Sequence, residues 1–425
     1  MNIQEELSFD EFPIPSFEQW RDESIKSLKG GDFEKKLFTK TIEDIILKPI
    51  YNENDLKNNP LYNFQYPGIA PYNRGDNPLG YKANPWLVAQ AIPYPDLKQF
   101  NTALQNDLAN GQNAINIKLL SINNNNRQIK YGIELKNIDD LAKVFENIDL
   151  SKYPVYFSTG DIFYNFSKLF QDYLKKSNID FAKLQGNLGA DIFGKLLSTG
   201  NLALSINNYY EHNAELINQY DNSNFGVINI SGDIFHNAGA NAVQELAYSF
   251  TEAIEYFKAF FSLNLDINKI APKIRFSFGI GSNFFMEIAK LRAARIIWTK
   301  IVREYGGNEQ SQKMFIHSQT SLRNKTKFNP WSNIIRNSTE CLSAILGNSN
   351  SIEVGFFDFA NGYPSELSRR LSRNTQLIYL NESHLLDTID PSAGSYYLEE
   401  LTNEICLKVW KTIQDIESKG GFFEN

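Results

Sequence analysis

The apolar residues first take up a helical rhythm in SFEQWRDESIKSL, residues 16–28, where Ser16 serves as N-cap and Glu18 and Gln19 occupy the first turn. Gly30-Gly31 stop that helix. Over 37–51 the alternation is loose and predicts one or two short strands. These pieces hold too few apolar residues for a core of their own, so residues 1–60 read as an arm and linker. Residues 60–80, rich in Pro, Gly, Asn and Tyr, read as a long ordered loop. After Pro85 strand-length apolar runs alternate with helical patterns. The strand candidates are WLVAQAI from Trp86, AINIKLL from Ala114, YPVYFS from Tyr153, FAKLQGN from Phe181, FGVINIS from Phe225, IRFSFGI from Ile274, MFIHSQT from Met314 and SIEVGFF from Ser351. Helical patterns between them cover 96–110, 137–148, 238–261, 282–305 and 331–346. In the fourth of these Phe284, Ile288, Leu291 and Trp298 share one face, and Arg295 within that stripe is expected to be buried against a carboxylate. Eight strands with helical crossovers predict a parallel α/β architecture. Spacing alone leaves two forms open, a doubly wound sheet and a closed eight-stranded barrel with its sites at the C-terminal strand ends. The expected divisions are 1–60 for the arm, 61–362 for the β/α unit, and 363–425 for helices that cover one end of it.

Composition changes this picture little. Hydrophobic residues make up 42% and charged residues 21%, as in an ordinary soluble globular protein. A net charge of -7 argues against nucleic-acid binding as the main task. Cys341 and Cys406 lie in apolar helical patterns without metal spacing and are expected to be buried free thiols of a reducing compartment. The opening MNIQEELSFDEF has no apolar h-region, and no run approaches the roughly 20 apolar residues of a membrane span. A cytoplasmic chain with no membrane or nucleic-acid partner is the expectation. The histidines are few and scattered, so no metal site is expected.

Three stretches carry specific chemistry. The first is Tyr66-Pro-Gly-Ile-Ala-Pro-Tyr-Asn-Arg-Gly-Asp-Asn-Pro-Leu-Gly-Tyr81, followed by Asn84-Pro-Trp86. The second runs from Phe278-Gly-Ile-Gly-Ser through Lys290-Leu-Arg-Ala-Ala-Arg-Ile-Ile-Trp298. The third joins His317-Ser-Gln-Thr-Ser321, Arg373-Asn-Thr-Gln376 and Asp390-Pro-Ser-Ala-Gly-Ser-Tyr-Tyr-Leu-Glu-Glu400. In order and spacing these resemble the acyl-CoA-binding barrel of methylmalonyl-CoA mutases, from residue 12 to the C-terminus. The resemblance implies a (β/α)8 TIM barrel with an extended N-terminal arm and C-terminal covering helices. It also implies a radical rearrangement between methylmalonyl-CoA and succinyl-CoA, started by adenosylcobalamin that a separate domain holds over the barrel mouth. The cofactor supplies the hard chemistry, and the protein excludes solvent and holds the substrate. By the same resemblance Arg74 falls where an arginine meets the CoA phosphates, and Tyr81 where a tyrosine helps displace the adenosyl group. His317 and Gln319 fall in the segment that faces cobalamin. Each has a plainer role open to it: Arg74 as a loop brace, Tyr81 as barrel packing.

The departures from the family pattern weigh more. After the fifth strand the family reads Ser-Gly-Tyr-His, and the histidine polarises the thioester carbonyl. This chain reads Ser231-Gly232-Asp233-Ile234. Isoleucine donates no hydrogen bond, and an aspartate repels a developing oxyanion. An arginine for the substrate carboxylate is expected after the fourth strand, yet no arginine occurs from residue 128 to 274. Lys195 offers a charge there but not a bidentate fork. The chain reaches Asn425 about where the linker to a cobalamin domain begins, so the cofactor is expected in a partner and none in this chain. Asp233-Ile-Phe-His236-Asn-Ala-Gly239 is one residue too long for the family's cobalt-ligating Asp-x-His-x-x-Gly, and His236 reads as the start of the next helix. His212 and His384 have no partner visible in sequence. An axial acyl-CoA channel needs small or polar inward residues. Here Lys118, Tyr156, Phe157, Phe276 and Phe278 stand in strands, and alternation turns some of them inward, which predicts a filled interior.

These readings converge on the small, catalytically silent subunit of a heterodimeric methylmalonyl-CoA mutase whose homologous large subunit holds substrate and cobalamin. Alone, the chain is expected as a homodimer or with its arm undocked. Two alternatives stay open: the barrel subunit of another acyl-CoA mutase that borrows a free-standing cobalamin protein, and a regulatory module that binds acyl-CoA without reaction.

Overall fold

A computed structural model describes residues 10–64, 66–120 and 132–424. The chain divides into two compact units, Met1–Asn54 and Asp55–Asn425.

In the first unit the helix Phe17–Ser27 starts with the full capping box of Ser16 and Gln19. A short helix, Phe33–Leu37, leads into an antiparallel hairpin of Thr39–Lys40 and Ile46–Leu47. The arm has slightly more internal order than its composition implies, because Trp20 stacks edge-on against Phe33 at 5.9 Å and Phe33 against Phe38 at 6.1 Å. Around this small cluster Phe12, Ile14, Ile42 and Ile46 are exposed.

The second unit is built on eight parallel strands: β1 (Leu87–Val88), β2 (Ile115–Lys118), β3 (Val155–Ser158), β4 (Gln185–Ala190), β5 (Asn224–Ser231), β6 (Ile274–Ile280), β7 (Phe315–Thr320) and β8 (Ser351–Glu353). Each pairs with its sequence neighbour from β2 to β8, and β8 pairs with β1. A parallel bridge between Ala91 and Asn116 brings β1 to β2 and closes the ring. The expected (β/α)8 barrel is the fold observed, and the doubly wound alternative falls away. Crossover helices follow the strands in turn: α1 (Leu97–Ala109), α2 (Ile138–Val144), α3 (Phe163–Lys176), α4 (Ile206–Gln219), α5 (Ala242–Ser262), α6 (Phe284–Glu304), α7 (Ser332–Leu346) and α8 (Glu366–Asn381). A last helix, α9 (Tyr396–Ser418), packs on α5 and α6. Among the described residues no helix is long and apolar enough to cross a membrane.

Two local expectations are corrected. The fourth strand begins at Gln185 because Asp180 caps a tight turn over Phe181–Lys183, which removes the first half of FAKLQGN from the sheet. The helix expected over 238–261 starts later, at Ala242, and a separate short helix precedes it. That short helix, Gly232–Ala238, ends at Gly239 with φ 117°, and Asn241 then opens α5 with a second capping box. Burial on both faces gives the sheet its near-continuous apolar runs. Facing is therefore set by what each strand meets. Phe157 turns outward onto Phe166 and Phe170 at 4.8 and 5.0 Å, and Phe276 onto Trp298 at 4.9 Å. Phe278 lies on the same outward side as Phe276 by strand alternation. Of the bulky groups in question, Tyr156 and Lys118 point to the axis.

Candidate functional site

The C-terminal strand ends converge on a buried carboxylate. Glu353, at the end of β8, accepts hydrogen bonds from Lys118 at 2.9 Å, Asn116 at 2.8 Å and Gln319 at 2.9 Å. Four strands contribute to this knot, since Asn116 also donates to the carbonyl of Ala89 beyond β1 at 3.1 Å. Glu353 is 2% exposed, so its charge is tolerated only because three donors surround it.

Deeper along the axis Arg275 donates to Asn229 at 2.7 Å, and its guanidinium lies 5.0 Å from the centre of the Tyr156 ring. That ring packs in turn on Phe315 at 5.6 Å. Ser277 also donates to Asn229, at 2.7 Å; Asn229 donates to Ser231 at 2.8 Å, and Ser231 to Asp191. Burial lowers Arg275 to about 10. The axis is thus lined by a lattice of polar and charged groups rather than by phenylalanine. Sequence reasoning missed Arg275, Asn229 and Glu353. The available signal was a charge inside an apolar run, in IRFSFGI and again in SIEVGFF.

His317 and Gln319 belong to this lattice. His317 Nδ1 meets the Ser351 hydroxyl at 2.7 Å, and burial, aided by the charges of Arg275 and Lys118, holds the imidazole well below its usual pKa. His317 Nδ1 and Gln319 Nε2 are thus engaged with Ser351 and Glu353 within the barrel.

Asp233 and Ile234 stand just after β5, in the first turn of the helix Gly232–Ala238. Ile234 is partly buried and brings no donor. Burial raises the Asp233 carboxyl to about 7, against the pull of Lys118 and with a further push from Asp191, Glu245 and Glu353. Asp191 rises to about 6, again by burial, offset by hydrogen bonds from Ser231 and the Gly194 amide. A carboxyl with a raised folded-state pKa contributes stability below its unfolded pKa and loses it as pH climbs through the folded value. Asp233→Asn should therefore match the wild type below about pH 4, grow progressively more stable than it up to about pH 7, and keep that margin above. Urea midpoints measured across that range check this, and a constant difference would count against it.

His236 closes the same short helix rather than opening the next. Its Nε2 meets the Ser321 hydroxyl at 2.9 Å, and its Nδ1 lies 3.7 Å from Glu245. A side chain at position 279 would strike its ring at 2.5 Å, so β6 carries Gly279 there. Lys195 lies 3.7 Å from Asp161. His212 stacks flat on Tyr164 at 3.7 Å, and exposed His384 meets Asp387 at 3.0 Å.

Arg74 and Tyr81 are held elsewhere. Tyr81 is half-buried, donates to the Ser349 carbonyl at 2.7 Å and sits edge-on to Trp86 at 5.1 Å; the desolvation of its hydroxyl raises the phenol far above the usual range. Arg74 donates to Asp390 at 3.2 Å. The same carboxylate takes two hydrogen bonds from Arg292, at 2.9 and 2.8 Å, while a second nitrogen of Arg292 reaches Glu399 at 2.8 Å. The motifs around residues 66–81, 278–298 and 390–400 are therefore tied into one ionic knot. Arg295 is not the residue on the carboxylates. It donates to the carbonyls of Tyr72 at 3.0 Å and Gly347 at 2.8 Å. The expectation of a carboxylate partner for Arg295 fails because Arg292, one turn earlier on α6, takes both available acids.

Fold and site together define a parallel β/α barrel whose axis is braced by its own side chains. Residues 40–425 match the family model described as methylmalonyl-CoA mutase, and the chain belongs to that family. It is 34% identical over 434 residues to the methylmalonyl-CoA mutase small subunit of Porphyromonas gingivalis, covering 99% of this chain and 66% of that protein. To the large subunit of the same organism it is 30% identical over 404 residues, covering 90% and 55%. To the methylmalonyl-CoA mutase of Escherichia coli it is 32% identical over 422 residues, covering 96% and 59%. The chain thus spans less than two thirds of the length of these relatives.

Proposed function

We propose that this chain is the small, non-catalytic subunit of a heterodimeric, cobalamin-dependent methylmalonyl-CoA mutase. The partner is a homologous large subunit that binds acyl-CoA and adenosylcobalamin and carries out the radical isomerisation. The observation that carries the reading is the pair Asp233-Ile234 after β5, where the family's tyrosine and histidine belong. Neither side chain polarises a thioester carbonyl by donating from a cationic or neutral imidazole. Two further observations support it. The axis that acyl-CoA threads in the family is occupied here by Arg275, Tyr156 and the Glu353 knot. Arg74 and Tyr81, which the resemblance assigns to ligand, are engaged with Asp390 and Ser349. Relatives named as small and large subunits of one organism's mutase fit a paired assembly. One feature favours a second reading, a barrel that serves another acyl-CoA mutase with a separate cobalamin protein: Asp233 titrates near neutrality within the field of Lys118, as a general acid would.

A reconstruction separates the two. Asp233→Tyr combined with Ile234→His should restore no methylmalonyl-CoA turnover in the presence of adenosylcobalamin. Catalysis needs an open channel, a carboxylate anchor and a positioned cofactor together, and two side chains supply none of these. Measurable turnover by the double variant would refute the silent role. The unaltered chain titrated with cobalamin and followed by visible absorbance should show no saturable binding, and saturation at micromolar concentrations would favour the second reading.

A further inference from the structure

We propose that the cleft between the start of α1 and the start of α8 binds a small oxyanion, a carboxylate or a phosphate, with Arg369 as its charged anchor. The cleft has a volume of about 750 Å³, within the range of small-molecule sites, and is lined by Tyr94, Lys98, Thr102, Asn106, Glu366 and Arg369 among others. Arg369 is 4% exposed, yet its Nε and Nη1 find no hydrogen-bond partner among the described residues. Asp107 holds Oδ2 at 3.4 Å from Nη1, an ion pair without hydrogen-bond geometry, while its Oδ1 accepts a short hydrogen bond from Arg373, one turn further along α8. Two buried guanidiniums thus share one carboxylate. Burial pushes that carboxyl upward even against the pull of both arginines, which makes it a poor counterion for two. The face of Arg369 lies 5.4 Å from the centre of the Tyr94 ring, which fixes the guanidinium at the cleft wall but supplies no acceptor.

A buried guanidinium short of acceptors is unfavourable unless something provides them, and its planar donors match carboxylate and phosphate oxygens. Exposed Lys98 adds a second positive charge on the opposite lip. Two acids also line the cleft. Asp96 is engaged as the N-cap of α1, accepting from the Gln99 amide at 2.9 Å. Exposed Glu366 competes with an incoming anion, so its neutralisation should help binding.

The full chain is titrated by calorimetry with inorganic phosphate and, separately, with glutarate, which distinguishes the two kinds of oxyanion. One of them should saturate a single site. Arg369→Met should weaken that binding by roughly tenfold or more, the scale of a lost charge-assisted hydrogen bond, and Glu366→Gln should tighten it. The unfolding temperature of Arg369→Met should stay level or rise, because Arg373 alone then balances Asp107. Absence of saturable binding for both anions, or equal binding by Arg369→Met, overturns the proposal. A strongly destabilised Arg369→Met also overturns it, since the guanidinium would then be a structural group.

Discussion

Arg292→Met should destabilise the chain by about 3–5 kcal/mol, the cost of breaking a buried ion pair from one side. Arg292 is 1% exposed and donates to both oxygens of Asp390 and to one of Glu399. Methionine fills much of the same volume, so little of the loss comes from a cavity. What remains is two buried carboxylates with Arg74 as the cation still on Asp390 at 3.2 Å. Because the knot joins α6 to the segments before β1 and before α9, its failure should loosen three regions together. Equilibrium unfolding in urea reads the cost as a lowered midpoint, and amide exchange should rise in both segments. A triple variant that also replaces Asp390 and Glu399 by Asn and Gln should recover part of the loss, since it leaves no orphaned charge. A midpoint shift of under about 1 kcal/mol for Arg292→Met would mean that the acids find other partners.

Removing residues 1–51 should abolish association with the homologous large subunit, and with a second copy of the chain where the partner is missing. The arm keeps large apolar groups in water: Ile14 is 96% exposed and Ile42 77%. Their burial is worth roughly 25 cal/mol per Å², and leaving them uncovered invites aggregation. In the proposed assembly the arm contributes to an interface of the obligate class, about 2,000 Å² or more. Co-expression followed by size-exclusion chromatography with light scattering gives the mass directly. An intact complex after truncation would show that the arm is not the clamp.

The fold was legible where the local pattern and the tertiary outcome agree. Eight apolar runs became eight strands, and the Ser16 cap sits at its helix start because a side-chain oxygen meets a free amide. Facing was not legible. Strands of a parallel barrel are covered on both sides, so Phe157 and Tyr156 read alike although one meets helices and the other the axis. The ionic knot was hidden for a different reason. Arg74 and Asp390 are 316 residues apart, and no spacing rule reports which of two arginines one turn apart on α6 takes an acid. The altered pair Asp233-Ile234 was legible as a departure. Its surroundings became apparent only once Lys118, Asp191 and Glu353 had been gathered from other strands.

The cross-braced axis has a mechanical consequence. A barrel that must admit a long ligand along its centre has to part its staves, and its outline then depends on occupancy. Here Glu353 ties β1, β2, β7 and β8 together from within, and Arg275 ties β6 to β5 while its guanidinium lies against a ring of β3. Such cross-ties resist the parting of the strands. Seated beside a neighbour that opens and shuts, the barrel would act as a stator, the fixed reference against which the other's movement is made.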